Sequence, residues 1–400
     1  MTAWPMVSLG AISKDKGQYG VGLSSRDWSE EAPRYIRITD IDNTGQLNSS
    51  RVAPAGEIAD WKKALLKPGD LLFARSGATV GKTYLHSAVN DPAVYAGYLI
   101  RFQVDTQRAL PEYVFRYTQG ADYRAWVADN QRAVAQPNIN AQQYAELKIP
   151  LPPLSDQRRI AAILAHADML RAKRREALGQ LEELTQAIFL DMFGDPVHND
   201  RLWTPATVAD LVAGFNSGRN LVGNDGSDGT LRVLKVSAVT SLTYRENESK
   251  PLPSGYLPPS DHMVLPGDLL FSRANTSELV GATAFVYATD GRTALPDKLW
   301  RFCWHSDRQV APRYVEKLFQ QPAFRRKISE RATGSSGSMK NISRGKVLSI
   351  PVGIPPAAMQ FEFQQRLEQI HAVEITHRNA LAKLDDLFSS LQSRAFRGDL

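Results

Sequence analysis

One stretch of this chain looks built for phosphate chemistry. Gly77-Ala78-Thr79-Val80-Gly81-Lys82-Thr83 follows an apolar run, as a nucleotide-cradling loop would. Such a loop needs four residues between its glycines. Here there are three, and Ser76 stands where the first glycine should be. The same turn recurs as Ser277-Glu278-Leu279-Val280-Gly281-Ala282-Thr283, without the lysine. The pattern fits a turn between two strands, with glycine supplying the backbone freedom. Glu146-Leu147-Lys148 resembles the tail of a nuclease motif, but no acidic residue is suitably spaced before it. Its counterpart, Val347-Leu348-Ser349, keeps none of it. The seven histidines have no ligand spacing, and the single cysteine, Cys303, excludes an intramolecular disulfide or a Cys-rich zinc site. There is no Asn-Pro-Pro-aromatic motif of amino-methyltransferases and no Gly-rich dinucleotide loop. No catalytic, cofactor or metal residue is assigned. A nucleotide-dependent DNA-processing enzyme would have to rest on residues 77–83 alone.

Binding chemistry is better supplied. Arg75-Ser76-Gly77-Ala78-Thr79 and Arg273-Ala274-Asn275-Thr276-Ser277 each end an apolar run with small donors and one arginine. Arginine can bond guanine bidentately, and Asn or Gln can bond adenine. A second loop holds Gln131, Arg132, Gln136 and Asn138; its counterpart holds Ser336, Ser338, Lys340 and Asn341. Arg325 and Arg326, followed by Lys327, form a basic cluster suited to phosphate. The candidate DNA-binding residues are therefore Arg75, Ser76, Thr79, Gln131, Arg132, Gln136, Asn138, Arg273, Asn275, Thr276, Arg325, Arg326, Ser336, Ser338, Lys340 and Asn341.

These loops come in pairs because the chain is duplicated. Leu66-Lys67-Pro68-Gly69-Asp70-Leu71-Leu72-Phe73-Ala74-Arg75 returns as Leu265-Pro266-Gly267-Asp268-Leu269-Leu270-Phe271-Ser272-Arg273. Trp4 and Trp203, Arg34–Ile41 and Arg232–Val239, Leu99–Phe102 and Leu299–Phe302, Asn138–Asn140 and Asn341–Ser343, and Pro152–Gln157 and Pro355–Gln360 keep the same order. The offset drifts only from 198 to 203. A period this long is a doubled domain, not a solenoid unit of roughly 20–50 residues. The framework is shared and the loops differ, so the copies should read different sequences.

Each copy has two parts. Short β-rich runs (Tyr35–Ile41, Asp70–Ala74, Tyr98–Phe102) are broken by Gly, Pro, Asn and Asp. Helices beginning at Pro111 and Pro312 are predicted from proline's preference for the first turn. A stretch almost free of Gly and Pro then reads as one long helix. The expected divisions are 1–151 and 197–352 for the mixed domains, and 152–196 and 353–400 for the helices. Ile160, Ile163, Ala167, Leu170, Arg174, Ala177, Leu181, Leu184, Ile188 and Asp191 keep a heptad spacing. So do Phe363, Arg366, Ile370, Val373, His377, Ala380, Leu384, Leu387, Leu391 and Arg394. Antiparallel packing would bring the two helix centres, Arg174 and His377, to a crossing point. A second apolar edge, with Leu164, Leu178 and Phe189, is open to a partner subunit. The expected fold is two tandem α/β (α+β) domains separated by two long antiparallel coiled-coil helices, pseudo-twofold overall.

The net charge of +6 is uneven: +2 over 1–152, +6 over 197–351, and −1 on each helical stretch. The mixed domains thus suit a polyanion. No apolar run approaches the roughly 20 residues of a membrane span, and no signal-peptide pattern opens the chain, so a cytoplasmic protein with no membrane partner is expected.

Pro152-Pro153-Leu154-Ser155-Asp156-Gln157-Arg158-Arg159-Ile160-Ala161-Ala162-Ile163-Leu164 resembles the start of the spacer helix in specificity subunits of type I restriction–modification systems. The Pro-Gly-Asp-Leu-Leu-Phe-x-Arg segments and the Asn-Ile before the closing strand resemble that family's target recognition domains. The resemblance covers all 400 residues in the family's order. It implies that each domain reads half of a split site in double-stranded DNA while the helices set the gap. It further implies two modification (methyltransferase) subunits docked along the helices and two restriction (endonuclease and translocase) subunits. S-adenosylmethionine, ATP and Mg are then expected on those partners and none on this chain. The potentially positive Arg174 and His377 depart from a tidy apolar seam. A coiled-coil scaffold that binds no DNA is the remaining alternative.

Overall fold

The computed structural model describes residues 4–87, 92–131, 137–220, 230–253, 255–334 and 339–400. The chain divides into two compact units, residues 1–176 with 378–400, and residues 177–377. Each unit takes one mixed domain and about half of each long helix, Leu154–Phe193 and Ala357–Arg397.

In the first unit the central sheet has four antiparallel strands in the order Gln18–Tyr19, Leu99–Gln103, Asp70–Ala74, Thr83–Leu85. All five residues of Asp70–Ala74 are buried, because both faces of the sheet are covered. Leu71 and Phe73 pack with Tyr113, Val114 and Tyr144 from the helical side. Leu72 and Ala74 pack with Tyr35, Val94 and Tyr95 on the other side. That two-sided burial is why the strand reads as a continuous apolar run. The second unit repeats the sheet as Gly214–Ser217, Leu299–Cys303, Leu269–Ser272, Thr283–Phe285. Leu269 and Phe271 face one core, and Leu270 the other.

The repeated Pro-Gly-Asp turn is framework. Gly69 and Gly267 take φ of 90° and 92°, which an L side chain resists. Asp70 then accepts from the Lys67 amide at 2.9 Å, and Asp268 from the Leu265 amide at 2.8 Å. Each carboxylate also meets an arginine of the neighbouring strand: Asp70 with Arg101 at 3.4 Å, Asp268 with Arg301 at 2.8 Å.

Two expectations need correction. The runs Arg34–Ile41 and Arg232–Val239 form strands only over Arg34–Ile36 and Arg232–Leu234. In the first, buried Asp40 accepts from the Arg37 amide at 2.9 Å and turns the chain. In the second, Val236–Ala238 is a tight helical turn.

The second correction concerns the heptads. Ile160, Ala167 and Phe363 are buried as expected and Ile370 is half-buried, but Leu170, Leu184, Asp191, Arg366, Val373, Leu387 and Arg394 are exposed. The inward face is completed by Gln157, Leu164, Thr185, Gln360, Leu367 and Phe388, three residues before the expected positions rather than three after. Apolar residues flank the seam on both sides, so spacing alone could not choose the edge. Leu164 and Phe189 are fully buried within their own units, which removes them from the edge expected to seat a partner.

Twin glutamines fix this choice. Gln157 accepts from the Leu110 amide at 2.8 Å and donates to the Pro152 carbonyl at 2.8 Å. Gln360 accepts from the Ala311 amide at 3.3 Å and donates to the Pro355 carbonyl at 2.9 Å. Both are almost wholly buried, so each amide side chain must satisfy its polar atoms internally.

Within the first unit the helices run antiparallel: Arg159 donates to the Leu400 carbonyl, and Arg171 pairs with Asp385. Within the second, Phe189 and Phe193 of the first helix pack on Phe363 of the second. Arg174 and His377 are half-buried near the points where the helices pass from one unit to the other.

Candidate nucleic-acid interface

The structure gathers the candidate loops at one edge of each central sheet. In the first unit, Arg75 leaves the strand Asp70–Ala74 and lies over the Tyr19 ring, 4.8 Å from its centroid. Its Nε donates to Asn138 Oδ1 at 3.4 Å. Backbone contacts fix the two segments: Ser76 bridges to Asn138, the Ile139 amide donates to the Arg75 carbonyl at 2.9 Å, and Gly77 donates to the Pro137 carbonyl. Tyr19 is itself tied down, its hydroxyl accepting from the Ala141 amide at 3.1 Å. Arg75 and Asn138, both expected from sequence, therefore stand side by side. Thr79 is half-buried and closes its own turn, its hydroxyl donating to the Ser76 carbonyl at 3.0 Å. Gln131 is the last residue of the helix Ala121–Gln131 and is half-buried. Arg132 and Gln136 lie outside the described residues.

The phosphate-loop reading of 77–83 finds no support in this geometry. Residues Gly77–Thr79 make a single tight turn, and Thr83–Leu85 is a strand rather than a helix. A side chain on Gly81, at φ of 87°, would strike Val127 Cγ1 at 2.7 Å. Lys82 Nζ donates to the Ile41 carbonyl at 2.8 Å. Gly281, at φ of 85°, packs on Ile328 in the same way. The glycine permits a close turn against a helix, and the lysine is a brace.

In the second unit the same segments meet, with different side-chain partners. Residues Ala274–Asn275 pair with Lys340–Asn341, and Ile342 donates to the Arg273 carbonyl at 3.0 Å. Arg273, Asn275, Lys340 and Asn341 are thus brought together. The Arg273 side chain, however, turns to Asp297. It donates to the Asp297 carbonyl at 2.8 Å and pairs with its carboxylate at 3.2 Å. Asn275 accepts from the Thr276 amide at 2.9 Å. The carbonyl of Thr276 accepts from Leu279 and Val280. Ser336 and Ser338 lie outside the described residues.

The basic cluster is divided. Arg325 is half-buried and donates to the Glu278 carbonyl, and burial lowers its pKa from the ordinary value. Lys327 donates to the Val197 carbonyl at 3.4 Å. Arg326 alone of the three is exposed. Three residues that matter here escaped the sequence reading: Tyr19, Asp297 and Arg344. Arg344 Nη2 donates to Ser217 Oγ at 3.3 Å, and its guanidinium lies 5.6 Å from the Trp300 ring centroid. Asp297 had one visible signal, since it stands two residues before the matched Leu299 where the first copy has Gly97.

Among the described residues no group of three or more His, Cys, Asp or Glu could hold a metal ion, and no helix is long and apolar enough to cross a membrane.

Residues 14–180 match the family model for the Type I restriction modification DNA specificity domain. The EcoKI specificity subunit of Escherichia coli strain K12 is 27% identical over 72% of this chain and 65% of its own length. The match thus spans just under two thirds of that relative. Two solved structures share the fold. One is the S subunit of a type I restriction–modification system from M. genitalium, with TM-score 0.57, 11% identity, and coverage of 98% of this chain and 96% of that one. The other comes from work on complex assembly and conformational transition of the type I system, with TM-score 0.52, 18% identity, and coverage of 100% and 99%.

These findings agree with the resemblance read from the residues: residues 14–180 match a type I DNA specificity domain, and the chain is similar to specificity subunits of that class.

Proposed function

We propose that each unit reads one half of a bipartite site in double-stranded DNA, within a type I complex in the cytoplasm. The observation that carries this reading is the paired edge. Two sheets share strand order, turn and ion pair, and each brings an Arg and an Asn together (Arg75 with Asn138, Arg273 with Asn341), yet Tyr19 stands in one unit where Arg344, Asn275 and Lys340 stand in the other. A common frame with different polar groups suits two different half-sites. Phosphate contacts, with exposed Arg326 among them, would hold position while the edge selects bases.

Two modification subunits would seat on the outer faces of the long helices and two restriction subunits would join them. S-adenosylmethionine, ATP and Mg would then be theirs. Support comes from apolar side chains left exposed there: Met169, Leu170 and Leu387 in the first unit, Leu184, Phe361 and Val373 in the second. Exposed apolar groups on an otherwise charged helix favour a protein partner. The helices would set the unread gap. The test is methylation by the chain with its modification subunits on duplexes randomised at one half-site. Activity that depends on two separate blocks is expected, and adding one helical turn to either long helix changes the gap but not the blocks. Equal methylation of all duplexes would reject the reading.

A further inference from the structure

The two edges differ at four matched positions, and the differences compensate one another. In the first unit Tyr19 lies opposite Ile100 across the strand pair; in the second, Ser217 lies opposite Trp300. Ala141 follows Asn138-Ile139-Asn140, and Arg344 follows Asn341-Ile342-Ser343. Gly97 matches Asp297, and Arg75 matches Arg273. Each unit ends with a guanidinium against an aromatic ring at the same strand pair. In the first the ring is Tyr19 and the guanidinium is that of Arg75. In the second the ring is Trp300 and the guanidinium is that of Arg344, bonded to Ser217, the residue in Tyr19's place. Ala141 touches Tyr19 through its amide, as Arg344 touches Ser217 through its side chain. Arg273, meanwhile, is drawn to Asp297, which gives it a carboxylate that Gly97 cannot give Arg75.

We propose that Arg344 supplies the base-reading guanidinium of the second unit, the part Arg75 plays in the first, with a guanine as its target. This rests on the reading of the chain as a DNA-specificity subunit. Arg344 is exposed, so its planar fork is open to a ligand. A ring beneath it and one hydrogen bond restrict its rotamers, which lowers the entropy lost on binding. Arg273 has spent two donors on Asp297 and has fewer left to offer.

The experiment uses the full chain assembled with its modification subunits and duplexes substituted one base pair at a time in each half-site. Arg344→Ala should lower binding to the second half-site by about tenfold and flatten the preference at one G·C pair. Arg75→Ala should do the same at the first half-site. Arg344→Lys keeps the charge but not the fork, and should lose the G·C preference while retaining more affinity than Arg344→Ala. If Arg273→Ala abolishes the second half-site preference and Arg344→Ala leaves it intact, the proposal is overturned. If the unaltered complex shows no preference at either half-site, the DNA-specificity reading itself fails, and the proposal with it.

Discussion

The edge of the first unit and the edge of the second are built on one scaffold and end in different chemistry. Strand order, the Pro-Gly-Asp turn, the glycine packed on a helix, and the twin glutamines are the same in both. The polar groups at the strand ends are not. Arg75 rests on Tyr19 beside Asn138, whereas Arg273 is bound to Asp297 and Arg344 takes the place by the ring. The shared turn aspartates and glutamines close on the fold, whereas Tyr19 in one unit and Arg344 in the other stand at the strand ends with different partners. The repeated motif thus marks what holds the domain together, and its readout lies just beyond the motif.

The largest expected effect concerns the shared frame. Asp70→Ala would strand Arg101 in a buried site and should cost about 3–5 kcal/mol. Asp268→Ala should cost less, since the Asp268–Arg301 pair is more exposed. Burial also pushes the Asp268 carboxyl above its ordinary value, so its charged form is less firmly held. Denaturant unfolding followed by segment-resolved hydrogen exchange measures both, and a larger loss at Asp268 would break the comparison.

Next come the outward groups. Arg75→Ala should remove roughly 1–3 kcal/mol of base discrimination, at the first half-site only. Competition binding with altered half-sites measures it, and an equal loss at both would dissolve the distinction between edges. Asp297→Gly, which gives the second edge the first edge's residue, should release Arg273 and change the second half-site preference by a smaller amount.

The twin glutamines should behave alike. Gln157→Ala or Gln360→Ala leaves buried backbone groups without partners and should cost about 1–3 kcal/mol. Equilibrium unfolding of the two variants checks this, and a strongly unequal pair would mean the helix starts are held differently.

The smallest effect is a pH dependence confined to one unit. His86, buried beside Tyr84 at 3.2 Å, matches Val286 in the second. Burial lowers its pKa below the ordinary 6.5, against the opposing pull of Asp70. The folded unit holds the neutral ring. Its contribution is full above the ordinary value and is lost as pH falls from there toward the lowered one. The protection factors of the first unit, taken relative to intrinsic exchange at each pH, should therefore fall on acidification through this range, and His86→Val should remove that response.

Much of the fold was legible in the residues because a doubled pattern cancels accident. Asp70–Ala74 and the helices from Pro111 and Pro312 were read nearly to their ends. Apolar runs and a first-turn proline are local signals. The helix seam was half legible: Leu170 and Leu164 are equally apolar, and only Gln157, anchored to Leu110, decides which turns inward. The site was legible where the backbone forces neighbours together, as with Arg75 and Asn138. It was not legible where side chains choose partners. Nothing in the spacing says that Arg273 prefers Asp297, or that a two-residue strand brings Tyr19 beneath Arg75. Those contacts depend on which strands are neighbours in space.

The central claim, two units reading two half-sites, is tested most directly by mapping methylated adenines in DNA from cells carrying this chain and its modification subunit. The account predicts one motif with two defined blocks separated by an undefined gap of constant length, lost when the chain is removed. A single uninterrupted motif, or a map unchanged without the chain, would contradict it.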